Sequence, residues 1–110
     1  MEFINEFVCY SNQQITLNSS TDLLNVESPF ISITSANPGC YIGGFETGIE
    51  SDKSYLLFLI NRTAQPIIIK HLNSGTPAEH QINVYNYLDY TLEANSYCIL
   101  LRDNDKYLLK

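Results

Sequence analysis

Six consecutive apolar residues, Tyr55-Leu56-Leu57-Phe58-Leu59-Ile60, restrict more than any other feature how this chain can fold. Glu50-Ser51-Asp52-Lys53 precedes the run and Asn61-Arg62-Thr63 closes it. A run of that length between turn residues is a strand, because a buried helix needs about ten residues or more. On a strand, Tyr55, Leu57 and Leu59 face one way and Leu56, Phe58 and Ile60 the other. Both faces are then apolar, whereas a two-layer antiparallel domain leaves one face of each sheet in water. Ile67-Ile68-Ile69 and Tyr97–Leu101 repeat the pattern. One small sandwich encloses too little interior for so much apolar face, so oligomerisation is the expected cover. The subunit contact is expected at Tyr55, Leu57, Leu59, Ile67, Ile69 and Leu100.

The rest of the chain is punctuated at short intervals. Phe3–Tyr10, Ile15–Leu17, Phe30–Thr34, Cys40–Ile42, Gln81–Leu88 and Lys106–Leu109 read as strands, and Asp22–Val26 as a strand or turn ended by Pro29. Ala36-Asn37-Pro38-Gly39, Asn73–Pro77, Ala94-Asn95-Ser96 and Arg102–Asp105 read as turns. Strand, polar turn and strand over 55–69 form a hairpin signature. The adjacent Gly43-Gly44 implies a bulge or the close approach of another backbone. No segment reads as a helix of three turns. The expected architecture is all-β: an antiparallel β-sandwich or jelly roll of about 8–10 short strands, in one domain spanning 1–110.

Charge excludes several functions. The net charge is -6 and the six basic residues are scattered, so no phosphate-tracking surface forms and nucleic acid is not an expected partner. No apolar run approaches the roughly 20 residues of a membrane span. Met1-Glu2-Phe3-Ile4-Asn5-Glu6 carries acids where a signal peptide carries positive charge, and synthesis in the cytosol is expected. Cys9, Cys40 and Cys98 have neither disulfide-framework nor metal-site spacing and are expected as buried free thiols. A Cys40–Cys98 bridge is the alternative in an extracellular setting.

Gly44-Phe45, Ser51-Asp52-Lys53, the Leu56–Asn61 strand ending in Asn, Ile67–His71 and Asn73-Ser74-Gly75 follow one another in order. Tyr90-Thr91-Leu92, Tyr97–Leu101, Asp103 and Tyr107-Leu108-Leu109 then close the chain. This succession, from Ile42 to Lys110, resembles the small β-sandwich domains of tailed-phage fibre and head-fibre (capsid decoration) proteins. Lys53 stands where that family commonly has Gly, and Tyr107 where Trp is common. The resemblance implies a non-enzymatic virion structural protein, a homotrimer assembled in the host cytoplasm and anchored to a capsid or other virion protein. Residues 42–110 form the fibre-like part and 1–40 the part expected to hold the anchoring segment. Only about 40 residues lie outside the resembling part, and this favours a head fibre or decoration protein over a long tail fibre.

No catalytic constellation is evident, and neither a cofactor nor a metal is expected. His71 and His80 lack a third donor at ligand spacing, and Glu46, Glu50, Asp52, Glu79, Asp89 and Glu93 lie mostly in turns, outside apolar pockets that would raise their pKa values. The sequons Asn18-Ser19-Ser20 and Asn61-Arg62-Thr63 carry no meaning in a bacterial host. The most suggestive surface is Asn83, Tyr85, Tyr87 and Asp89, which share one face if Gln81–Leu88 is a strand. Aromatic rings beside amide and carboxylate groups stack on sugars and bond their hydroxyls. This is the expected glycan or receptor site, with a host-surface glycan as partner. It also supports the alternative function, a stand-alone carbohydrate-binding module.

Overall fold

A computed structural model describes residues 12–48, 53–103 and 106–110. The expected Phe3–Tyr10 strand, Cys9, Glu50 and Asp52 lie outside the described residues. The strands, in chain order, are β1 (Asn12–Leu17), β2 (Leu24–Val26), β3 (Phe30–Ala36), β4 (Tyr41–Ile42), β5 (Phe45–Thr47), β6 (Tyr55–Asn61), β7 (Ile67–Ile69), β8 (Ile82–Val84), β9 (Tyr90–Leu92), β10 (Ser96–Asp103) and β11 (Lys106–Leu109). A single 3-10 turn, Ala78–His80, is the only helical element among the described residues. The chain is all-β and its sheets pack against one another in a sandwich-like body, as the punctuation implies.

Strand direction departs from the antiparallel expectation. Five of the eight strand pairings among the described residues are parallel. The chain climbs as a coil, each turn laid beside the previous one. Asn12 pairs with Phe30, and Phe30 with Phe58. Thr21 bridges Ile42, which pairs with Ile69, and Leu24 pairs with Phe45. Three walls result: β1-β3-β6, the Thr21 bridge with β4-β7, and β2-β5. The C-terminal part closes the coil in the opposite sense. β10 runs antiparallel to β6 and β9 to β7, β11 forms a hairpin with β10, and β8 lies parallel to β11. The long wall thereby becomes a six-stranded sheet in the order β1-β3-β6-β10-β11-β8.

The expected β6–β7 hairpin does not form. β6 belongs to the six-stranded sheet and β7 to the three-stranded one, so the polar residues between them turn a corner. A polar break between apolar runs is common to hairpins and corners, so sequence alone leaves them undistinguished. At this corner Asn61 is fully buried. Its Nδ2 donates to the carbonyls of Gln65, Leu92 and Glu93, and its Oδ1 accepts from the Thr63 N–H and hydroxyl. The side chain thus satisfies backbone groups that no ladder reaches.

Where the walls face one another they share one core. Ile31, Ile33, Leu57, Leu59, Ile42, Ile67, Ile69, Phe45, Leu92 and Leu100 are all essentially inaccessible. Each contributes about 1.5–3 kcal/mol of transfer free energy. The expected contact residues Leu57, Leu59, Ile67, Ile69 and Leu100 are therefore interior to a single chain. Tyr55 is half-buried, and its hydroxyl is shared with those of Thr47 and Tyr107, 2.9 Å from each. Leu57, Leu59, Ile67, Ile69 and Leu100 are corrected from assembly surface to core, because a three-walled coil encloses more strand face than a two-sheet sandwich. The adjacent glycines do mark a close approach: a Cβ on Gly44 would collide with the His80 carbonyl oxygen.

Candidate functional site

What the coil leaves uncovered is the outer face of the long sheet. Alternation places Leu57, Leu59, Cys98 and Leu100 inward, so Leu56, Ile60, Tyr97, Ile99 and Leu101 point out. Register sets them side by side: Leu101 lies opposite Leu56 and Tyr97 opposite Ile60. Leu56 is 44% exposed, Ile99 43%, Leu101 41% and Tyr97 66%. Leu108 continues the row across β11, opposite Leu101, and Asn83 ends it on β8, opposite Leu108. A surplus apolar face does exist, on the opposite side of β6 and β10 from the residues named there.

Asn83, Tyr85 and Tyr87 line a hollow of about 300 Å³ at the edge of this same face, together with Leu108, Leu109 and Lys110. They do not share a strand, which corrects the expected alternation. β8 stops at Val84, and Tyr87 has a φ of 62°. A left-handed Tyr costs about 1–2 kcal/mol. The turn is held by the Tyr87 N–H on the Val84 carbonyl (2.9 Å) and the Tyr85 N–H on the Leu109 carbonyl (2.9 Å). The Leu88 N–H adds a bond to Asn86 Oδ1 (3.2 Å). Tyr85 and Tyr87 are 64% and 75% exposed.

Asp89, the fourth expected member, does not line the hollow. It accepts the His71 N–H at 2.8 Å and pairs with Lys70 Nζ at 3.2 Å. The His71 N–H, with help from Lys70, holds this carboxyl below the ordinary carboxylate range. His71 Nδ1 accepts the Val84 N–H at 3.0 Å, and its ring meets Tyr87 edge-on at 5.8 Å. Asp89 therefore supports the turn through His71. Leu108, Leu109 and Lys110 were missed as lining residues because β11 reaches β8 by a pairing between segments over twenty residues apart.

Elsewhere the polar groups serve the scaffold. Tyr41 OH (2.8 Å) and Asn73 Nδ2 (2.9 Å) both donate to Asp22 Oδ1, and the Thr76 hydroxyl donates to the Asp22 carbonyl at 2.6 Å. The Tyr41 bond foremost, then that of Asn73, lowers the Asp22 pKa. Lys70 lies over the Tyr41 ring at 5.4 Å. Arg102 is buried, lies over the Tyr107 ring at 4.8 Å and donates to the Glu79 carbonyl. Burial, then the Tyr55 hydrogen bond, raises the Tyr107 pKa. His80 Nε2 stands 3.9 Å from Glu79. No group of three metal-ligating side chains occurs among the described residues. Cys40 and Cys98 are buried free thiols. A larger hollow of about 440 Å³ borders Asn25–Pro29, Thr47, Gly48 and Leu57, with Glu27 the one titratable group among its described lining residues.

No family model matches the chain, and no curated protein or solved structure matches it.

Proposed function

We propose that this chain is a non-enzymatic structural protein that assembles with copies of itself, a homotrimeric head fibre or decoration protein of a phage capsid. The observation that carries the reading is the outer face of the six-stranded sheet. Leu56, Tyr97, Ile99 and Leu101 leave on the order of 400 Å² open there, within the range of the largest, often functional, apolar patch of a monomer. A stable interface takes about 800 Å² per partner, so the patch fits the apolar centre of a larger contact with a polar rim. A closed cyclic assembly hides the same patch on every copy and leaves none to propagate. In the virion, a capsid or other virion protein would anchor the assembly, and the exposed end would serve attachment.

Light scattering tests the reading directly. The purified protein should have about three times the 12.5 kDa chain mass. Ile99→Glu should return it to a monomer with an unchanged far-UV CD spectrum, because Ile99 is exposed in the single chain and carries no core packing. A monodisperse wild-type monomer, or an Ile99→Glu variant of undiminished mass, would remove the assembly reading.

A further inference from the structure

The geometry points to the Asn83–Tyr85–Tyr87 hollow as a binding site for one neutral sugar ring, a terminal hexopyranose or N-acetylhexosamine of a surface glycan. Its volume of about 300 Å³ is at the lower end for ligand pockets. That accommodates a single ring and is too small for a helix or a peptide strand.

The lining chemistry selects the class. A pyranose presents an apolar C–H face and a rim of hydroxyls. Tyr85 and Tyr87 offer exposed phenol rings to the first, and the outward Asn83 amide both donates to and accepts from the second. Leu108 and Leu109 add apolar lining. Lys110 is the one cation among the described lining residues, on a chain of net charge -6, so a polyanion finds little attraction here.

The site is also built before any ligand arrives. Tyr87 keeps a left-handed backbone that a bulky side chain rarely adopts, yet the conformation places its ring three-quarters in solvent, where it gains no core packing. Strain retained without a packing return is the mark of a functional position. His71 meets the ring edge-on, and Asp89 bonds the His71 backbone. The ring is thus positioned from behind, and little ordering entropy remains to be lost on binding. None of this requires the chain to be trimeric or viral.

The test is titration of the ¹⁵N-labelled full chain with methyl β-galactoside, methyl β-glucoside, N-acetylglucosamine and N-acetylgalactosamine, followed by amide chemical shifts. At least one sugar should give saturable shifts confined to residues 83–88 and 108–110. Tyr87→Asn removes the ring with a residue that tolerates the left-handed backbone. It should weaken that sugar about tenfold or more while the CD spectrum and the oligomeric mass stay the same. Tyr85→Ala should weaken it independently. The assignment is overturned by the absence of saturable shifts with all four sugars up to about 50 mM, or by undiminished affinity in both variants. It is also overturned by a changed oligomeric mass in Tyr87→Asn, which would give the surface to self-contact.

Discussion

Asn61 offers the sharpest quantitative test of the fold. Its amide stands where β6 leaves the long sheet and binds the 63–65 corner to the link between β9 and β10. Asn61→Ala removes an amide with two protons and two lone pairs engaged. At about 1 kcal/mol net for each bond, the ceiling is about 4 kcal/mol. The Gln65 and Glu93 carbonyls can recover water, and the Thr63 hydroxyl keeps the Gln65 carbonyl as acceptor. The expected loss is therefore about 3 kcal/mol, or roughly 12–20 °C in Tm for a chain of this size. Urea unfolding followed by tyrosine fluorescence suits a chain with eight Tyr and no Trp. Asn61→Asp sharpens the test, since it keeps the shape but turns a carboxylate toward three carbonyl oxygens. Its folded pKa should rise above the unfolded value of about 4. Stability is then retained in acid and lost as pH rises above about 4, at up to about 1.4 kcal/mol per unit. A loss under about 1 kcal/mol for Asn61→Ala, with a flat profile for Asn61→Asp between pH 4 and 7, would refute the amide as the lock of this corner.

Two further outcomes follow from the polar and sulfur groups. The Asp22 and Asp89 carboxyls are held below their ordinary value by Tyr41 and Asn73, and by the His71 N–H and Lys70, respectively. Depressed folded pKa values mean that their stabilisation is complete above the unfolded value of about 4 and lost as pH falls through the folded values. Carboxyl ¹³C titration should show both inflecting below the ordinary aspartate range, and an ordinary or raised midpoint for Asp22 would break the proposed network. Burial pushes the Cys98 thiol up to about 12, and the Cys40 side chain is out of reach of reagent inside the core. Iodoacetamide at pH 8 should leave both unmodified in the folded protein and alkylate both in urea, as peptide mass mapping would show. Labelling of either in the native state would contradict their burial.

Much of the secondary structure was legible because the relevant signals are local. Tyr55–Ile60, Ile67–Ile69 and Tyr97–Leu101 are strands, as uninterrupted apolar runs between turn residues imply. The turn expected at Ala94-Asn95-Ser96 forms, and Asn95 there takes a φ of 57°. The Asn83–Tyr87 hollow was half legible. The residue types singled out Asn83, Tyr85 and Tyr87, which do line one hollow, but strand alternation was the wrong geometry for it. A turn that begins at Val84 ends the alternation, and no periodicity reports where such a turn begins.

The sequence by itself determined that this chain is built of short strands and that some apolar strand face must find cover. Side-chain alternation and turn chemistry act within a few residues and leave their record there. Only the tertiary structure decided that the strands run largely parallel, that β6 and β7 part at Asn61, and that Leu57 and Leu59 face inward while Ile99 and Leu101 face out. Those outcomes depend on which distant strand supplies the neighbouring backbone. For a strand apolar on both sides, the residues themselves cannot distinguish inside from outside. The enclosing walls make that choice, and they make it against the contact residues first expected.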